Sequence, residues 1–184
     1  MKALLVRHAA AIPRGTPGIL DADRPLTSSG EIRFRTVARG LARIAPRPDV
    51  WLTSPLLRAH ATAEIAARAF GLIEPRPEPA LAGENLDGIV VALKAHPHDA
   101  TVALVGHQPM LGALLARMLG SAKAEGLAFR KGGAALVDLP DGPAAPGRLI
   151  WFLDPRALRT LADASGMTRR VSSTNGRSLR EEKS

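Results

Sequence analysis

The sequence predicts a three-layer α/β/α sandwich built on a mostly parallel central sheet. Short apolar runs rich in β-branched residues alternate with segments of helical period, the pattern of strands separated by crossover helices. Proline, glycine and hydroxyl residues punctuate the boundaries. Near the end of the chain two further runs follow each other directly, which adds an antiparallel hairpin to the parallel part.

The elements follow in order. Lys2–Arg7 (KALLVR) reads as a buried strand ending in a polar pair, and Ala9–Arg24 has no period and is a loop rich in Pro and Gly. Thr27 and Ser28 offer capping oxygens, with Glu31 three residues after Ser28 as in a capping box. Phe34, Val37, Ala38, Leu41, Ile44 and Ala45 then share one helical face until Pro46 and Pro48 stop the helix. Asp49–Thr53 is the second strand. Ser54 and Pro55 read as the cap and first position of a helix through Leu57, Ala61, Ile65 and Ala69, closed by Gly71. Ile73–Pro79 is extended, and Asn85–Ala95 is helical, with Leu86, Ile89, Val90 and Leu93 on one face. Thr101–Val105 is the third clear strand; Pro109 opens a helix that ends at Gly120. Ala134–Leu139 and Arg148–Leu153 form the hairpin across DGPAAPG, and Asp154-Pro155 caps a last helix to about Ala164. One domain over 1–165 and a basic, disordered tail over 166–184 are expected.

Composition narrows the function. The chain has 184 residues and no cysteine, so disulfide and thiolate chemistry are excluded. No apolar run approaches the roughly 18–20 residues of a membrane span, and the N-terminal run breaks at Arg7, too soon for a signal peptide. A cytoplasmic protein without a membrane partner is expected. Net charge is +8; after Gly166 five basic residues face two acidic ones, leaving +3 there and about +5 elsewhere. Most of the cations are arginines, which fork onto phosphate or carboxylate. Aromatic residues make up only 3 %, and no zinc or helix-turn-helix signature accompanies the charge, so a nucleic-acid partner is not expected.

Chemistry gathers where three strands stop. Arg7-His8 closes the first, Ser54-Pro55 with Arg58 follows the second, and Gly106-His107 closes the third. Ligands of open α/β sheets collect outside the carboxyl ends of the strands. Taken alone, Arg7-His8 is a solvated strand end and His107 a satisfied histidine. Arg58 in the first turn of a helix opposes the helix dipole, which makes sense if an anion occupies the same place. Gly106 suggests a close backbone approach.

These residues carry a resemblance. LVRHA (Leu5–Ala9), DRPLTSSG (Asp23–Gly30), TSPLLRAHATAE (Thr53–Glu64) and VGHQPML (Val105–Leu111) resemble, in this order, the histidine phosphatase superfamily with its phosphoglycerate-mutase-like fold. The short length and the DRPLT element are similar to its SixA-like branch of small phosphohistidine phosphatases. The resemblance implies that His8 is the nucleophile and that Arg7, Arg58 and His107 form the phosphate pocket. Arg24 is a further candidate for substrate binding. Two departures stand out: Ala61 replaces a frequent glutamine, and Glu84 is the nearest candidate for the general acid although its surroundings do not match the family pattern.

The expected chemistry is in-line attack by a neutral His8, a phosphohistidine intermediate, and hydrolysis by water. Two arginines beside His8 disfavour its protonated form. They also supply the electrostatic role of a metal, so neither a metal nor another cofactor is expected. No carboxylate sits in either histidine motif to complete a ligand set. His60, His96 and His98 are expected at the surface. A phosphorylated protein carrying phosphohistidine, or a small phosphorylated metabolite, is the expected partner. The rival readings are a broad phosphomonoesterase and a phosphate-binding module without turnover.

Overall fold

A computed structural model of the chain describes residues 1–83 and 85–164. Glu84 and the expected tail over 166–184 lie outside the described residues. Six strands form one sheet: β1 (Lys2–Arg7), β2 (Val50–Thr53), β3 (Arg76–Pro77), β4 (Thr101–Gly106), β5 (Ala134–Asp138) and β6 (Arg148–Leu153). Their spatial order is β3-β2-β4-β1-β5-β6. The first four are parallel, while β5 and β6 run antiparallel as the expected hairpin. The α/β sandwich with a mostly parallel sheet is therefore what the chain forms.

Alternation along each strand divides the core into two layers. Leu4 and Val6 of β1, with Ala103 and Val105 of β4, face helices α1 (Ser28–Ile44), α2 (Leu57–Ala69) and α5 (Pro155–Asp163). Ala3 and Leu5, with Val102 and Leu104, face α3 (Leu86–Lys94) and α4 (Met110–Met118). Gly40 sets the closeness of α1 to α5: a Cβ there would stand 1.9 Å from the Leu158 carbonyl oxygen.

Two helix starts differ from the expectation. The N-cap of α1 is Thr27, whose Oγ1 accepts from Gly30 N at 3.0 Å. Glu31 thus falls one position beyond a capping box and pairs instead with Arg35. Helix α2 starts at Leu57, two residues later than expected, with Leu56 as its N-cap and no side-chain cap, while the Ser54 hydroxyl meets both Leu56 N and His107 Nε2. The other punctuation matches. Gly71 has φ 97° and closes α2 in a Schellman motif, with Leu72 N bonded to Ala67 O and Gly71 N to Arg68 O. Asp154 Oδ1 caps α5 through the N–H groups of Arg156 and Ala157.

Candidate active site

Strand β4 lies between β1 and β2, in register. Arg7 is opposite Gly106, and Thr53 is opposite Val105. Beyond the last paired residues the ladder continues, with His8 N bonded to Gly106 O at 3.0 Å and Ser54 N to Val105 O at 2.9 Å. The three polar strand ends identified in the sequence therefore emerge side by side, bringing Arg7, His8, Ser54, Arg58 and His107 together.

His8 is 6 % exposed, and its Nδ1 lies 2.7 Å from the Ala9 carbonyl oxygen. A carbonyl only accepts, so Nδ1 carries the proton and Nε2 keeps its lone pair. The His107 ring stands 5.0 Å from that of His8, centroid to centroid. Burial pushes the His8 pKa down to about 3, with smaller contributions from His107, Arg58 and Arg7. His107 is held at about 4, again chiefly by burial and then by Arg58. The neutral form expected of His8 thus owes more to desolvation than to the two arginines.

Arg58 is 3 % exposed at the start of α2. Its Nη1 donates to the Asp21 carbonyl oxygen at 2.6 Å and its Nη2 to Asp21 Oδ2 at 3.1 Å. Asp21 Oδ1 also accepts from Arg14 Nε at 2.9 Å and Arg24 Nε at 3.0 Å. The Arg14 hydrogen bond, with Arg58 and Arg24 nearby, holds the Asp21 carboxyl well below the usual carboxylate range. Arg24 is directed inward, its Nη1 on the Ile12 carbonyl oxygen, so it secures the 12–24 loop and Asp21. Arg7 donates to the Phe129 carbonyl oxygen. The Nε atoms of Arg7 and Arg58, and Nδ1 of His107, are buried with no partner among the described residues.

Three residues outside the predicted set shape the site. Asp21 lies in a segment without period, and its only local signal is the spacing of three to Arg24. Ser54 Oγ lies 2.8 Å from His107 Nε2 and also accepts from Leu56 N at 3.3 Å. Thr62 Oγ1 accepts from Ala9 N at 3.0 Å and donates to Arg58 O at 2.6 Å, tying the residue after His8 to the helix that carries Arg58. A cavity of about 250 Å³ opens over Arg58 and His107, walled also by Arg14, Asp21, Leu56 and Gln108. Ala82 and Gly83 line it as well, immediately before Glu84.

His60 stands away from this cavity, half-buried, with Nε2 3.7 Å from Glu64 Oε1. His96 and His98 precede β4 and so lie at the opposite sheet edge. Among the described residues no group of three or more His, Asp or Glu could hold a metal ion, and no helix is long and apolar enough to cross a membrane.

The family model of the histidine phosphatase superfamily (branch 1) matches residues 3–87. An uncharacterized protein of Picosynechococcus sp. is 41 % identical over 116 residues, covering 61 % of this chain and 69 % of its own. Among solved structures, a protein of Agrobacterium tumefaciens whose proposed identity is the phosphohistidine phosphatase SixA superimposes with a TM-score of 0.71 at 29 % identity, over 84 % of this chain and 97 % of that one. The protein histidine phosphatase SixA in complex with tungstate gives a TM-score of 0.73 at 25 % identity, over 86 % of this chain and 99 % of its own.

Proposed function

Because this chain belongs to the histidine phosphatase superfamily and is SixA-like, we propose that it is a protein phosphohistidine phosphatase working through a phosphoenzyme on His8. The observation that carries this reading is the His8 ring: neutral, with Nδ1–H anchored on Ala9 and the Nε2 lone pair unused, beside Arg7, Arg58 and His107. The Nε2 lone pair attacks phosphorus while the P–N bond to the substrate imidazole breaks; that imidazole, already protonated on its far nitrogen, departs neutral. Water then attacks the phosphohistidine, the P–Nε2 bond breaks, and inorganic phosphate leaves.

The non-bridging oxygens need donors throughout, since a loose phosphoryl transition state is stabilised by position and charge. Arg7 and Arg58 supply guanidinium N–H groups. Ser54 Oγ, which accepts from Leu56 N, lies 2.8 Å from His107 Nε2 and holds that ring nitrogen, while His107 Nδ1 has no other partner among the described residues. Tungstate is a tetrahedral oxyanion like phosphate, and its complex with a relative of the same fold supports an oxyanion pocket here. With these cations in place the mechanism requires no metal.

The leaving group favours a phosphoramidate. Among the described residues that wall the cavity, Asp21 is the one carboxylate, and its arginines keep it ionised, so it has no proton to donate. An alkoxide needs such a donor, whereas imidazole protonated on its far nitrogen leaves without one. The SixA relatives support the same choice. Glu84 stands as the acid for an ester substrate: if Glu84→Gln abolished ester hydrolysis while phosphohistidine turnover persisted, both assignments would hold.

Labelled phosphodonor, followed by an alkaline quench, tests the reading. It should leave an alkali-stable, acid-labile phosphate that is absent from His8→Ala. A panel of phosphohistidine peptides and common phosphomonoesters should show higher kcat/KM for the former. Absence of label and turnover in the wild type would refute the enzyme reading, and preference for esters would leave a phosphomonoesterase.

A further inference from the structure

At Ala9, the residue after His8, lies a second cleft, of about 150 Å³, with a different character. Its floor is apolar, formed by Ala9, Phe34, Val37 and Pro155, and its rim carries Arg33, Lys131 and Arg159. The three cations come from α1, from the segment before β5, and from α5. Among the described residues no acidic side chain lines the cleft. Among the described residues none of the three cations forms an ion pair or a side-chain hydrogen bond; Arg33 and Lys131 are exposed and Arg159 is half-buried. Like charges placed together without a counter-charge repel each other, and the arrangement becomes favourable when an anion enters.

The cleft is joined to the site through the backbone. Gly132 N lies 3.1 Å from both the Arg7 and His8 carbonyl oxygens, and Ala9 lies in the cleft wall directly after His8. Strand β5 begins, and β6 ends, at the sheet edge where β1 ends, so the cations border the same edge as the nucleophile. Arg130 and Arg156, exposed and adjacent in sequence to this rim, lie near the Asp154 carboxylate, which offsets part of their charge.

We propose that the Arg33–Lys131–Arg159 cleft is a docking surface for acidic side chains of the phosphorylated protein substrate, flanking the histidine that carries the phosphoryl group. The inference rests on the phosphoprotein reading above. Docking of this kind acts on encounter and KM, is weakened by salt, and leaves the chemistry at His8 unchanged.

The test uses two peptides, each with one histidine phosphorylated by phosphoramidate, flanked in one by glutamates and in the other by glutamines. At low salt the full chain should show at least a tenfold lower KM for the glutamate peptide, and added salt should erase the difference. Arg33→Gln, Lys131→Gln and Arg159→Gln combined should abolish that preference while turnover of free phosphoramidate stays within twofold of wild type. Equal KM values for the two peptides in the wild type, or a preference that survives the triple variant, would overturn the docking surface. So would an equal loss on phosphoramidate, which would place the cations in the chemistry. Cleft-dependent binding of the glutamate peptide without its hydrolysis would support the docking surface and overturn the phosphoprotein reading alone.

Discussion

Asp21 and Arg58, 37 positions apart, are joined twice, once through the Asp21 carbonyl oxygen and once through its carboxylate. The pairing explains how a nearly buried guanidinium keeps a fixed direction before any substrate arrives. Charge-assisted hydrogen bonds are shorter and stronger than neutral ones, and the fork geometry removes the rotational freedom that an arginine otherwise retains.

Asp21→Ala should therefore lower kcat/KM by about tenfold, the effect of losing one charge-assisted hydrogen bond of roughly 1.5–3 kcal/mol in part. Asp21→Asn keeps an acceptor oxygen and should lose less. Steady-state kinetics on the pair would check the order, and equal losses would show that the negative charge rather than the oxygen positions Arg58.

Ser54→Ala removes the partner of His107 Nε2. A buried polar atom left unsatisfied costs about 1–3 kcal/mol, so thermal unfolding should occur at lower temperature. The same change releases the His107 ring, and kcat should fall more than KM rises. Unchanged kinetics would mean that packing alone orients His107.

Thr62→Val is close in shape but loses both hydrogen bonds of the hydroxyl, leaving the N–H of Ala9, the residue after His8, unpaired. A loss of about 1–3 kcal/mol in stability is expected from the orphaned N–H. Denaturant unfolding measures it, and the phosphoenzyme labelling of His8 should slow in parallel.

The histidine pair carries a pH dependence. In the unfolded chain an imidazole takes up its proton near pH 6.5, whereas folded His8 and His107 do so only near 3 and 4. The unfolded state binds more protons between about pH 4 and 6.5, so stability rises with pH there. The two rings should thus destabilise the fold progressively as pH falls below 6.5, and the slope of Tm against pH should flatten in a His8→Asn, His107→Asn double variant. NMR should show both rings still neutral at pH 5. An acidic limb of kcat/KM assigned to His8 should lie near pH 3, not near 6.5.

Much of the site was legible because its residues interrupt strong local patterns. Arg7 and His8 end an otherwise apolar strand, and Gly106-His107 breaks another, so hydrophobic period alone marks them as exceptions. Arg58 is marked by its unfavourable place in the helix dipole. Asp21 interrupts nothing: the sequence around it has no period, although in the structure it opens a 3-10 turn (Asp21–Asp23), and its partner Arg58 is remote in sequence. Ser54 was misleading for the opposite reason, since Ser-Pro is a good local helix start, whereas its contact with His107, the residue after β4, depends on strand order.

The sequence by itself determined the alternation of strands and helices, the hairpin at the end, and which polar residues stand at strand ends, because each depends on neighbours a few positions away. Tertiary structure decided that β4 inserts between β1 and β2, and that insertion is what places His107 5.0 Å from His8. It also decided the ring states, the hold of Asp21 on Arg58, and the gathering of Arg33, Lys131 and Arg159. Each of these depends on burial or on charge between segments far apart in the chain, and neither quantity exists until the sheet has closed its order.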